Sequence, residues 1–239
     1  MPQNLPLTDC IMKRSDLIFV CCVVLFFLPF FVFPAVYSAY TTFNGEHGMI
    51  MSFFKFAVLA TLGEVIGLRI KTGKYNTPGF GILPRAIVWG VLGLTIKLAF
   101  VIFSSGTVSF LTYMGMENAG EAIKGGFTVD KLFVAFCISI FMNSIYAPVM
   151  MTLHKITDTH ILSTGGTIKG LFTPIDFRGI ITNLNWDVQW NFVFKKTIPF
   201  FWYPAHTITF LLPEDFQVLF AAALGIALGT ILALASMKK

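Results

Sequence analysis

Charge is scarce in this chain. Only 12% of its 239 residues are Asp, Glu, Lys or Arg, about half the ~25% of an ordinary soluble domain. So little polar surface cannot keep a globule of this size in solution, and a soluble domain is excluded. A long basic run is also lacking. The net charge of +5 comes from Lys and Arg at the edges of apolar segments, a pattern that sets membrane orientation and does not bind nucleic acid. Cysteine is rare: Cys10, Cys21, Cys22 and Cys137 contain no C-x-x-C pair and no His at ligand spacing. That argues against a disulfide framework or a zinc site. Three of them lie in apolar segments, where Cys packs as a small hydrophobe.

Other signals are missing too. The first apolar run is longer than a signal-peptide core and no small-residue cleavage site follows it. Asp9 and Asp16, with few arginines, do not suit a mitochondrial presequence. This favours a bacterial cytoplasmic membrane, with the mitochondrial inner membrane as the alternative. No G-x-S-x-G, H-E-x-x-H or phosphate-binding glycine loop occurs. His154, Asp158 and His160 have a spacing that could hold a metal, but such polar groups are ordinary at a helix end. The expectation is a protein without catalytic residues, metal or cofactor. A lipid-modifying enzyme would need a pocket converging on those three residues.

What the chain does have is hydrophobicity. Its residues are 56% hydrophobic with 27 phenylalanines, its mean hydropathy is +0.77, and Phe suits both lipid contact and packing between helices. Apolar stretches run over 17–40, 49–69, 86–113, 132–154, 188–211 and 216–236. Each is near the ~20 residues a helix needs to cross the hydrocarbon. Continuous runs without alternation point to helices and not to a barrel. The expected fold is therefore all-α: one integral membrane domain over 1–239, a bundle of about six segments.

Lys13, Arg14, Arg69, Lys71, Lys74, Arg85, Lys155, Lys169, Arg178, Lys238 and Lys239 fall at one set of ends, against only Lys124 and Lys131 at the other. The bias puts both termini in the cytoplasm. It also makes 155–187 a cytoplasmic connection, either a flexible loop or an ordered cap. If 188–211 were only re-entrant, the last helix would have to turn over.

Small residues let helices approach closely in lipid. Ala221, Gly225, Gly229 and Ala233 recur every fourth residue on one face of the last segment, Gly63 and Gly67 mark the second, and Gly90 and Gly93 the third. Such seams pack helices within the bundle or join copies into a homo-oligomer or larger membrane complex. Lipids are the other expected partners.

Charge inside a span is expensive and needs a partner, water or a route to the interface. The candidates are Lys55, Glu64, Lys97, Lys195, Lys196 and His206. Lys195 and Lys196 lie about 10–12 Å from the cytoplasmic end at 1.5 Å per residue, within reach of snorkelling. Lys97 is deeper, with Asn143 at a similar level. Either Lys97 pairs with Glu64 and fixes two helices, or it belongs to a basic lining of an aqueous path for anions. Pro148, Pro199 and Pro204 interrupt the fourth and fifth segments, and broken membrane helices often border cavities.

The C-terminal third resembles the Mpv-seventeen / peroxisomal-membrane-protein family. Tyr203-Pro204, beside Trp202, looks like its W-P; Thr209-Phe210 stands in the N-F place, Leu212-Pro213 in the V-P place and Gln217 in the Arg place. "MNSIYAP" matches the family's D-Q and following proline through Asn143 and Pro148, with Met142 where the Asp would be. Gly63-Glu64 is similar to the family's G-D, and Arg85 to the Arg opening the next helix. Departures are His206 near the place of the motif Gln, a spacing from Phe210 to Pro213 one residue short, and no evident Trp-Tyr. The resemblance covers about residues 49–236, and the first helix and 155–187 would be additions. It implies a small polytopic protein linked to solute permeation. The resulting expectation is a channel-like or transporter-like protein for small anionic solutes, the alternative a structural or assembly subunit.

Overall fold

The computed structural model describes residues 13–237. Cys10, Lys238 and Lys239 lie outside them. All regular structure among the described residues is helical, and five helices there are long and apolar enough to cross a membrane. The chain divides into two compact units at Met51/Ser52.

In the first unit, the run expected as one segment over 17–40 is two helices. α1 spans Arg14–Val32 and α2 spans Pro34–Glu46. Pro34 lacks an N–H and forces the preceding residue out of the helical region. Phe33 is accordingly extended, with φ −108° and ψ 106°. No residue of α1 is buried; Phe19, Val23, Phe27 and Phe30 are half-buried along one face, and Leu25 and Phe31 elsewhere on it are exposed.

The second unit contains α3 (Gly48–Thr72) from Ser52 onward, α4 (Ile82–Tyr113), α5 (Ala119–Lys124) and α6 (Val129–Ser163). It continues through the short helices α7 (Ile168–Leu171), α8 (Phe177–Asn183) and α9 (Trp186–Val188). A π-helical stretch, Gln189–Trp202, then leads into α10 (Tyr203–Leu211) and α11 (Glu214–Met237). α6 is the centre of the bundle. Val134, Ile138 and Met142 are buried on it, while Ile145 and Val149 on another face are exposed, as are Leu98 and Ile102 of α4.

Glycines set the closest approaches. A β-carbon on Gly63 would stand 2.8 Å from Ile226 Cα, and one on Gly93 would stand 2.7 Å from the Ser52 carbonyl oxygen. The seam of the last helix is therefore used within the chain, with Gly225 against Ala60 and Gly229 against Gly63. These contacts also fix direction. Gly63 meets Gly225 and Gly67 meets Gly229, so α3 and α11 run parallel. Arg85 reaches Glu64 while Gly93 meets Ser52 and Phe56, so α4 runs antiparallel to both.

Two segments differ from expectation. α6 continues nine residues past 154 to Ser163, because Lys155 to Ser163 contains neither Gly nor Pro. The chain beyond Ser163 folds into an ordered cap: the side chains of Thr167, Asp176 and Asn185 accept the backbone N–H groups of Gly170, Gly179 and Val188 at the starts of α7, α8 and α9. Gly166, with φ +68°, packs against Gly79 so tightly that a β-carbon would lie 2.7 Å from the Gly79 oxygen. The segment 188–211 is not one α-helix. Pro199 sits in the π-helical stretch and Pro204 in the first turn of α10.

Candidate functional site: a lysine-lined vestibule above an ionic cluster

Two polar sites occupy opposite ends of α4. At its N-terminal end, three helices converge on Glu64. Arg85 Nη1 stands 2.6 Å from Glu64 Oε2, Trp89 Nε1 donates to Oε1 at 2.9 Å, and His154 Nε2 lies 3.1 Å from the same oxygen. Arg85 also pairs with Asp158, and its Nε donates to the Phe80 carbonyl at 2.7 Å. Lys155 Nζ lies 3.6 Å from Asp158 Oδ2. The rings of Trp89 and His154 have centroids 4.3 Å apart. Arg85 thus bridges two carboxylates from two helices, and the cluster ties α3, α4 and α6 together.

About 18 Å further along α4, twelve residues at 1.5 Å each, is Lys97. It does not reach Glu64. Its Nζ faces Glu214 Oε1 at the start of α11, at 3.7 Å. The reason is topological: antiparallel packing puts Arg85, not Lys97, level with Glu64, and the turn after α10 brings Glu214 to Lys97. The Lys97 side chain is 20% exposed and that of Glu214 82%. Lys55 of α3 is buried and lies within electrostatic range of Lys97 and Asp215.

Lys97 borders a cleft of about 670 Å³ between α4, α5, α6 and the α10–α11 turn. Phe100, Ser104, Ser105 and Ser109 line it from α4, Ile138 from α6 and Phe210 from α10, and Lys124 and Lys131 also contribute. That volume lies within the ~300–1,000 Å³ of small-molecule sites. Three lysines face it with one carboxylate, Glu214, so its field favours anions. Lys131 is held by the Gly125 carbonyl at 2.8 Å.

Between the two sites in the chain direction of α6 lies a buried polar contact. Asn143 Oδ1 and His206 Nδ1 are 3.0 Å apart, and Asn143 Nδ2 donates to the Ser139 carbonyl at 2.8 Å. Ser139 Oγ in turn donates to the Tyr203 carbonyl at 2.7 Å. The π-helical stretch and α10 carry His206 to this position.

The other candidates separate. Lys195 and Lys196 are exposed on the π-helical stretch, Lys195 resting over the Trp190 ring at 5.6 Å; they border neither site. His154, Asp158 and His160 turn to three different partners, Glu64, Arg85 and the Gly170 carbonyl. The three cleft serines and Trp89 carry no signal in sequence alone, because Ser is common in helix-packing seams and Trp near the ends of membrane segments.

No family model, curated protein or solved structure matches the chain.

Proposed function

We propose that this protein mediates the passage of small anions across a membrane, with Lys97 as the deepest cation of the path. The observation that carries the reading is the position of Lys97 at the edge of an open, serine-lined cleft, where it borders solvent space rather than a sealed pair with Glu64. Intramembrane lysines facing water-accessible space mark solute paths.

In this reading the Glu64–Arg85–His154–Asp158 cluster is the closed end and the vestibule the open one. The Lys and Arg bias puts the cluster, both termini and the 164–187 cap in the cytoplasm. The π-helical stretch and α10 then carry the chain back up, so that α11 descends parallel to α3. Broken helices at the depth of a site recur in transporters. Membership of the Mpv-seventeen family belongs to the same proposal. An assembly subunit is the competing role; the small-residue seam favours it less, because α3 already occupies that face.

Flux of chloride or phosphate in proteoliposomes tests the proposal. Lys97→Gln lowers flux at least about tenfold, the scale of electrostatic focusing in a charged cleft. Lys195→Gln/Lys196→Gln leaves it unchanged. A wild-type protein that conducts no anion, or a Lys97→Gln variant that conducts normally, would overturn it.

A further inference from the structure

The contact between Lys97 and Glu214 is looser than a charge-assisted hydrogen bond, which brings nitrogen and oxygen to about 2.7–2.9 Å. At 3.7 Å the two groups attract but Lys97 keeps donors to give. Their mobility is unequal. Lys97 is enclosed by the bundle, whereas Glu214 is 82% exposed at the first position of α11 and has no other ion-pair partner among the described residues. Glu214 can swing away from Lys97 by side-chain rotation alone. A carboxylate arriving through the vestibule could replace it, one negative charge for another, without moving a helix.

The walls say what the rest of that molecule is. Beside Lys97 the cleft is apolar: Phe100 and Phe210 have ring centroids 5.0 Å apart, and Val101, Ile138 and Leu212 adjoin them. The serines lie about two to three turns beyond Lys97 on the same helix, and Ser105 Oγ already donates to the Val101 carbonyl at 2.7 Å. Inorganic phosphate or sulfate needs many donors to replace its hydration, and the α4 residues of the cleft within one turn of Lys97 are Phe100 and Val101, whose side chains offer none. A solute with one carboxylate and a short apolar body matches both halves.

Building on the anion-passage reading, we infer that the vestibule binds amphiphilic organic monocarboxylates. The carboxylate takes Glu214's place at Lys97 and the apolar body lies on Phe100 and Phe210. Glu214 is then an internal competitor that sets affinity and occupies Lys97 when no solute is present.

Hexanoate binding to the purified full chain in nanodiscs, followed by saturation-transfer NMR and calorimetry, tests this. Hexanol and inorganic phosphate are the controls. Expected are saturable hexanoate binding that phosphate displaces poorly and hexanol does not reproduce. Glu214→Gln tightens hexanoate about three- to tenfold, because the fraction of protein with Lys97 available rises. Lys97→Gln abolishes binding, and Lys97→Arg, which keeps the charge if the glutamine variant does not fold, retains it. No hexanoate binding by the wild type, phosphate competing as well as a second carboxylate, or unchanged or weaker affinity in Glu214→Gln would each overturn the inference. Chloride flux without hexanoate binding would overturn this inference and leave anion passage standing. Hexanoate binding without any flux would do the reverse.

Discussion

Gly63 of α3 and Gly225 of α11 meet so closely that a β-carbon on Gly63 would stand 2.9 Å from the Gly225 carbonyl oxygen, yet one on Gly225 would make ordinary contact with Ala60 at 3.6–3.7 Å. The seam is asymmetric, and the asymmetry is measurable. Gly63→Ala forces two helix backbones apart and costs about 1–3 kcal/mol, the scale of overpacking. Gly225→Ala has room and gains helix propensity, so it changes stability by no more than about 1 kcal/mol in either direction. Thermal unfolding in detergent ranks the two; equal losses would contradict this geometry.

Arg85 serves two carboxylates, whereas Glu64 shares only one of its partners with Asp158. Arg85→Gln removes the guanidinium that Glu64 and Asp158 share, leaving Glu64 with Trp89 and His154 and Asp158 with Lys155; it is expected to destabilise by up to about 3–5 kcal/mol, the scale for removing one partner of a buried pair. Glu64→Gln leaves Arg85 its second carboxylate and keeps a side chain that can accept from Trp89. Its expected loss is smaller, about 1–3 kcal/mol. Denaturant unfolding of both variants checks the order, and the reverse order would refute the bridging role of Arg85.

Asn143 and His206 satisfy one another in a buried setting. Asn143→Leu leaves the imidazole without that partner and costs about 1–3 kcal/mol. Asn143→Leu/His206→Leu removes both polar groups and should lose less than the sum of the single changes. A double-mutant cycle gives the coupling directly; strict additivity would show that the contact carries no energy.

Sidedness can be read chemically. In a chain whose four cysteines are replaced, Ser105→Cys on the vestibule wall and Lys155→Cys beside the ionic cluster should react with an impermeant maleimide from opposite faces of the membrane. Ser105 is exposed to the cleft and Lys155 is 51% exposed. Labelling of both from one face would contradict an ionic cluster and vestibule at opposite ends.

Low charge and long apolar runs determined the membrane-helix class from the amino-acid sequence, because hydrocarbon tolerates few charges and leaves no backbone group unpaired. The small-residue seams were equally legible, since periodicity is a local property. Which groups face one another was not. Glu64 and Lys97 are both intramembrane charges and pair plausibly on paper; the antiparallel register of α3 and α4 puts Arg85 opposite Glu64 instead. Asp158 joins that cluster because α6 runs on past 154, the predicted end of its segment. The turn after α10 delivers Glu214 to Lys97 across more than a hundred residues of chain, and the π-helical stretch turns Lys195 and Lys196 outward. A hydrophobic pattern reports the environment of a helix face, whereas the identity of the neighbour depends on how all the helices share one limited volume. Only the tertiary structure decided that.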